Sequence, residues 1–156
     1  PFRFNPLELL PGIEVDEHIE NVLCCFQAAM PISGPLPALL REALDEIYGQ
    51  YPDPERPPVI RDLVSTAEAI LTSARYSAET RSDIRSALTT RVDVLSRGLI
   101  GRVFQCRHSV PSIEHLMTVP SIIEAAILPP QQACLLGLFI FNGIREYLRA
   151  DARGVQ

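Results

Sequence analysis

Leu36-Pro-Ala-Leu-Leu-Arg-Glu-Ala-Leu-Asp-Glu-Ile47 is the stretch that decides the fold. Leu36, Leu39, Leu40, Ala43, Leu44 and Ile47 recur at steps of three and four, so a helix gathers them on one stripe. Arg41, Glu42, Asp45 and Glu46 fall on the opposite side. A strand would split the same apolar residues between its two faces. Gly34-Pro35 turns the chain into this helix, and Gly49 reads as its stop.

The same period extends in both directions. Before it, Asp16 is positioned to cap a helix carrying Ile19, Val22, Leu23 and Phe26, with Asp16, Glu17 and Glu20 at the positive end of its dipole and Pro31 ending it. After it, Pro52, Pro54, Pro57 and Pro58 stiffen a connection to a third helix over 60–73, which buries Leu63, Val64, Ala67, Ile70 and Leu71. Ser77 caps a fourth, long helix with Ile84, Leu88, Val92 and Leu95 on one side, ended by Gly98. Gly98-Leu-Ile-Gly101 reads as a flexible joint, and Ser112 caps a short helix through Met117. Residues 121–128, Ser-Ile-Ile-Glu-Ala-Ala-Ile-Leu, suit a strand or a helix equally by periodicity. Pro129-Pro130 starts a helix over 131–149 whose first three turns are apolar nearly all round, the mark of a helix packed on several sides. Phe2–Leu7 alternates briefly and suits a short edge strand running into a turn. The expected fold is mainly α: a four-to-six-helix, bundle-like unit with one or two short strands at its edges.

With 156 residues, 47% of them hydrophobic, the chain can bury a sizeable core. Its most apolar run, Ala133–Ile144, falls short of the roughly 20 residues of a membrane span. The opening PFRFNPLELLPG has neither the basic nor the apolar region of a signal peptide, and a start at Pro1 reads as an excised piece of a longer chain. Cys24, Cys25, Cys106 and Cys134 show no framework or metal spacing; as reduced packing residues they point to the cytoplasm. The chain has no lysine, and all 14 basic residues are arginines. Seven of them (75, 81, 85, 91, 97, 102, 107) face only three acids between Arg75 and His108, a local balance of +4 inside a chain of net charge −5. That basic region is the place where DNA or another anion would be met.

Chemistry is hard to place. A phosphate-binding loop of the GxxxxGK[ST] type needs a lysine that the chain lacks. Asp45-Glu46 has the look of a magnesium-holding pair but lies on the wet face of the second helix. Cys106 and His108 offer a Cys–His pairing without an orienting third group, and adding His115 leaves a zinc site short of a fourth ligand. Helix capping accounts for Glu14, Asp16, Glu17 and Glu20. The most unusual stretch is Arg97-Gly-Leu-Ile-Gly-Arg102. Either its arginines reach a neighbouring phosphate, as finger arginines do, or Arg97 and Gly98 form an ordinary helix C-cap.

Four stretches together resemble one family. Phe4-Asn-Pro-Leu7 with Pro11-Gly12, then Ser33-Gly-Pro-Leu-Pro-Ala-Leu-Leu40, Pro58-Val-Ile-Arg-Asp-Leu63 and Arg97–Phe104 with Pro120–Leu128 are similar to segments of HerA-type and conjugative-transfer P-loop ATPases. The family's returning strand reads VIELxxL, from which Ala125 and Ala126 depart. The resemblance implies that 1–12 are a remnant of a RecA-like core and 13–118 an all-α insertion. It makes 119–150 the return strand and helix of the core, and 151–156 a disordered tail. It also implies a parent that is a DNA translocase assembling as a homo-oligomer, a hexameric ring, using ATP and magnesium held outside this chain. Within it the chain would serve subunit, DNA or partner-protein contacts without catalysis, with Arg97 and Arg102 as candidates for sensing nucleotide phosphate across a subunit boundary. The alternatives are a free-standing helical interaction module and a small helical enzyme using Cys106 and His108.

Overall fold

Apolar stripes of the kind carried by Leu36–Ile47 have to be covered, and here they cover one another. The structure, a computed structural model, describes residues 2–152 and 154. Among these are seven helices: α1 Val15–Ala29, α2 Leu36–Gln50, α3 Ile60–Ser73, α4 Ala78–Arg91, α5 Gly98–Phe104, α6 Ile113–Thr118 and α7 Pro130–Ala152. A 3-10 turn, Asp93–Ser96, joins α4 to α5. The molecule is a mainly helical, bundle-like arrangement.

The helix ends follow local chemistry. The Ser77 hydroxyl accepts from the Thr80 N–H at 3.1 Å and the Ser112 hydroxyl from the His115 N–H at 3.2 Å, which caps α4 and α6. Asp62 reaches back to accept from the Val59 N–H at 3.0 Å, at the start of α3. Pro130 occupies the first position of α7, where its missing N–H costs nothing. Asp16 does not cap α1 but lies in its first turn with Glu17, and Gly49 is inside α2, which runs on to Gln50.

α2 packs on α1 and α3, and α1 packs along α7. Phe139 of α7 meets Phe26 of α1 and Phe104 of α5 edge-on, at centroid distances of 5.4 and 5.8 Å. The same core takes in Phe4 and Leu7 ahead of α1, and Leu128 ahead of α7. Residues 2–12 and 130–150 therefore share one apolar core with the helices between them.

Three expectations are corrected. The edge strand over Phe2–Leu7 shrinks to an isolated antiparallel bridge in which Arg3 and Val110 exchange N–H···O bonds of 2.8 Å. Residues 119–129 form neither strand nor helix; their ends are tied to the flanking helices, and between them a turn brings the Leu128 N–H to the Ala125 carbonyl at 3.0 Å. The long fourth helix stops at Arg91, and Gly98-Leu-Ile-Gly101 opens α5 instead of forming a flexible joint. Gly98 does adopt the left-handed conformation, at φ +61°, which turns the chain between the two pieces. A Cβ on Gly101 would lie 2.6 Å from the Ser96 backbone, so only glycine allows α5 to fold back this closely. Of the tail expected over 151–156, Asp151 and Ala152 end α7, while residues 153, 155 and 156 lie outside the described residues.

Candidate functional site: a buried His–Glu cluster beneath an acidic cleft

The candidates legible in the sequence are spread out. Arg97 is exposed and ion-paired with Asp93, at the entry to α5. Arg102 is exposed on α5 with no ion-pair partner among the described residues. In the basic region Arg81 bonds the Ala74 carbonyl, Arg85 pairs with Glu68 at 3.0 Å, Arg91 bonds the Pro31 carbonyl, and Arg107 bonds the Pro57 carbonyl at 2.8 Å. Arg75 and Arg102 alone of the seven carry no such tie among the described residues. The basic third is largely spent on its own chain.

Cys106 and His108 do not pair. The Cys106 thiol, pushed up to about 11 by burial and further by Glu8, directs its S–H at the Val103 carbonyl. His108 bonds Glu8 through Nδ1 at 2.9 Å and the Glu55 carbonyl through Nε2 at 3.1 Å. His115 is exposed in α6. The cysteines are all free, but Cys25 alone is buried, so Cys24 and Cys134 are not the packing residues expected. Among the described residues no three His, Cys, Asp or Glu side chains converge to hold a metal ion, and no helix is long and apolar enough to cross a membrane.

The structure instead assembles a polar cluster between α1 and α7. His18 and Glu146, 2% and 1% exposed, face each other with Nδ1 at 2.9 Å from Oε2. Asn21 and Asn142 donate to Glu146 Oε1 at 2.8 and 3.0 Å. Arg145 closes the network, donating to Asn142 Oδ1 at 2.9 Å and to Asn21. Asn21 lies one turn from His18, and Asn142 one turn from Glu146, so two helix faces place all four groups. Tyr48 of α2 packs edge-on to the imidazole at 5.7 Å, while its hydroxyl donates to the Leu7 carbonyl at 2.9 Å.

Burial pushes the Glu146 carboxyl up. The hydrogen bond and charge of His18 and the Asn21 and Asn142 amides outweigh that, holding it below the usual carboxylate range. In the neutral imidazole, a carboxylate accepting at Nδ1 places the proton there and leaves Nε2 as the acceptor. Nε2 is buried and finds no hydrogen-bond partner among the described residues.

His18 and Glu146 line a small chamber with Asn5, Glu8, Ser109 and Asn142, and apolar groups that include Phe4, Ile113 and Phe139 make up the rest of its wall. About 20 Å³ of it is open to the centre of a water-sized group, enough for one such group. Glu8, Leu10 and Ile113 are common to this chamber and to an outer cleft of about 370 Å³, which Glu114, Tyr147 and Asp151 also line. Glu8 is fixed by His108 and by the Ser109 N–H at 2.9 Å, and Asn5 ties the same wall together by donating to the Pro58 and Arg107 carbonyls at 2.9 and 2.8 Å. Chemically, the cluster is an imidazole oriented by a carboxylate, beside a confined space lined by polar and apolar groups alike.

Sequence reading missed this cluster. His18 and Glu146 are 128 residues apart, and the available signal was modest: a histidine inside the apolar stripe of α1, and an Asn–Glu pair one turn apart on α7. Compared with known proteins, the chain matches no family model, no curated protein and no solved structure.

Proposed function

We propose that this chain is a helical interaction unit of a larger ring-forming, HerA-type DNA-translocating ATPase, making protein contacts and carrying no catalysis of its own. The observation that carries this reading is apolar surface left in water. Ile122 is 93% exposed and Ile127 74%, with Val119, Met117 and Val110 exposed nearby in sequence. On α7 the outward residues Cys134, Phe141 and Leu148 lie seven apart, and Phe141 is 71% exposed. Scattered exposed apolar residues are ordinary, but a run of isoleucines in a segment without secondary structure is what a partner would cover. ATP and magnesium would be held by other segments of the parent, since the lysine-free chain offers no phosphate cradle.

DNA contact through 75–108 is supported less well, because five of its seven arginines are tied to their own chain. Arg102 is the better candidate for reaching a neighbouring phosphate, since Arg97 is held by Asp93. The single core that includes residues 2–12 and α7 favours the second reading, a helical interaction module that folds by itself.

The test is assembly. In the product of the full reading frame, Ile122→Ser with Ile127→Ser should leave helical content unchanged and reduce oligomer mass measured by light scattering. Unaltered assembly would remove the support for this reading. In the same protein Arg102→Ala should slow ATP hydrolysis with nucleotide binding intact, and Arg97→Ala should do so less; unimpaired hydrolysis in both would end the sensing role.

A further inference from the structure

The chamber under the acidic cleft has a size and an atom set that suit one chemical group. It admits a single water-sized group, and three acceptors are among the groups that line it: Nε2 of the neutral His18 ring and the carboxylates of Glu8 and Glu146. Each carboxylate already accepts protein donors, Glu146 from His18, Asn21 and Asn142, Glu8 from His108 and Ser109. A carboxylate offers about four lone-pair sites, so capacity remains for one further donor. A charge taken into such a space must be paired, and three hydrogens must find three acceptors.

We propose that the chamber is a socket for a primary ammonium group, with the cleft outside holding the carbon chain that bears it. An ammonium is compact and carries three donors and no acceptor, matching the room and the three acceptors. The cleft continues the match. Leu10, Pro11, Ile113 and Ala150 give an apolar bed for a short aliphatic stem, and Glu8, Glu114 and Asp151 make its field negative. The Tyr147 ring adds a surface that attracts a cation. The chain has no lysine, so no side-chain amine of its own fits the socket. The amine comes from another molecule, either a free aliphatic amine or a lysine side chain. The socket does not depend on the proposed motor function.

The test uses the intact chain, 1,4-diaminobutane and a capped Gly-Lys-Gly peptide, each beside its N-trimethylated counterpart. Binding is followed by calorimetry and by the ¹⁵N resonances of the His18 ring. A primary amine should shift the His18 Nε2 signal, and trimethylation should weaken binding roughly tenfold or more, as loss of a hydrogen bond to a charged group does. The stronger of the two primary amines identifies the source, free amine or lysine. Glu114→Gln, an exposed rim substitution, should weaken binding a few-fold with the fold intact. His18→Gln should abolish the preference for the primary amine; if that variant fails to fold, the ring resonances of the unaltered chain still decide. Equal binding of trimethylated and primary amines would show a merely negative cleft and overturn the socket. An unmoved His18 signal at millimolar amine would show a chamber that takes only water, and would overturn it as well.

Discussion

At the scale of residues, the pair His18–Glu146 concentrates the risk in this structure. Removing one partner strands the other in an apolar interface, a loss of about 3–5 kcal/mol for a buried pair. Glu146→Ala should therefore lower stability by about that amount, and Glu146→Gln by about 1–3 kcal/mol, because the amide still accepts one bond. Urea unfolding at neutral pH measures both. The acid side carries its own signature. The Glu146 carboxyl lies below its ordinary value when folded, so its contribution is complete above the unfolded carboxylate range near about 4.3 and is lost as pH falls through the folded value. The urea midpoint should fall with acid in the unaltered protein, and less steeply in Glu146→Gln; parallel profiles would remove the pair from the account. His108 has the opposite sign. Glu8 and the Glu55 carbonyl raise it, so its smaller contribution is present at low pH and fades as pH rises through its folded value. The cysteines give a second check. Burial pushes Cys25 up to about 11, against the attraction of Arg145, while Cys24 and Cys134 are exposed. An alkylating reagent at neutral pH should modify Cys24 and Cys134 first and reach Cys25 only on unfolding; early labelling of Cys25 would mean that α1 and α7 separate readily.

At the scale of elements, glycine explains both what the sequence made legible and what it hid. The stripes Leu36–Ile47, Ile19–Phe26 and Leu63–Leu71 predict α2, α1 and α3 because each has enough apolar residues at helical spacing to fix its buried face. Gly98 was readable as a stop but not as a start, because a left-handed glycine ends one helix and equally turns the chain into another. Nothing local marks Gly101, whose need is set by the Ser96 backbone folding over it. Ser121–Leu128 stayed ambiguous because short apolar runs lack a period, and of its residues Leu128 is buried in the core with only Ala125 half-buried against it. The His18 cluster was hidden for a tertiary reason: a sequence shows which residues are polar, but not that two of them 128 positions apart share a buried face. From this follows a graded expectation. Gly98→Ala meets no neighbour and only the strain of φ +61°, a cost of about 1 kcal/mol. Gly101→Ala collides with backbone that cannot step aside, and should cost about 2 kcal/mol or more, as overpacking does. Thermal or urea unfolding of the two variants checks the order, and a reversed order would mean that α5 does not fold back on Ser96 as described.

At the scale of the whole molecule, the question is whether an all-α insertion can be lifted away from flanking core segments at residues 12 and 119. The apolar contacts run across both boundaries. Phe139 of α7 holds the edges of Phe26 and Phe104 together, Phe4 and Leu7 reach the same core from the N-terminal side, and the His18–Glu146 pair bridges α1 to α7. Losing Phe139 alone should cost about 3–5 kcal/mol, which is comparable to the stability of many domains. A chain cut to residues 13–118 would lose all of these contacts at once and leave His18 facing an open apolar groove. Residues 2–152 should unfold in one transition, with far-UV and near-UV circular dichroism coincident along a urea series. The fragment 13–118 should keep helical ellipticity but lose the near-UV signal and the dispersed amide resonances of a packed core, the behaviour of a collapsed chain without fixed packing. A fragment 13–118 that showed dispersed resonances and a cooperative transition of its own would place the boundary of the folding unit inside this chain, and α7 would then be an element docked onto a finished domain.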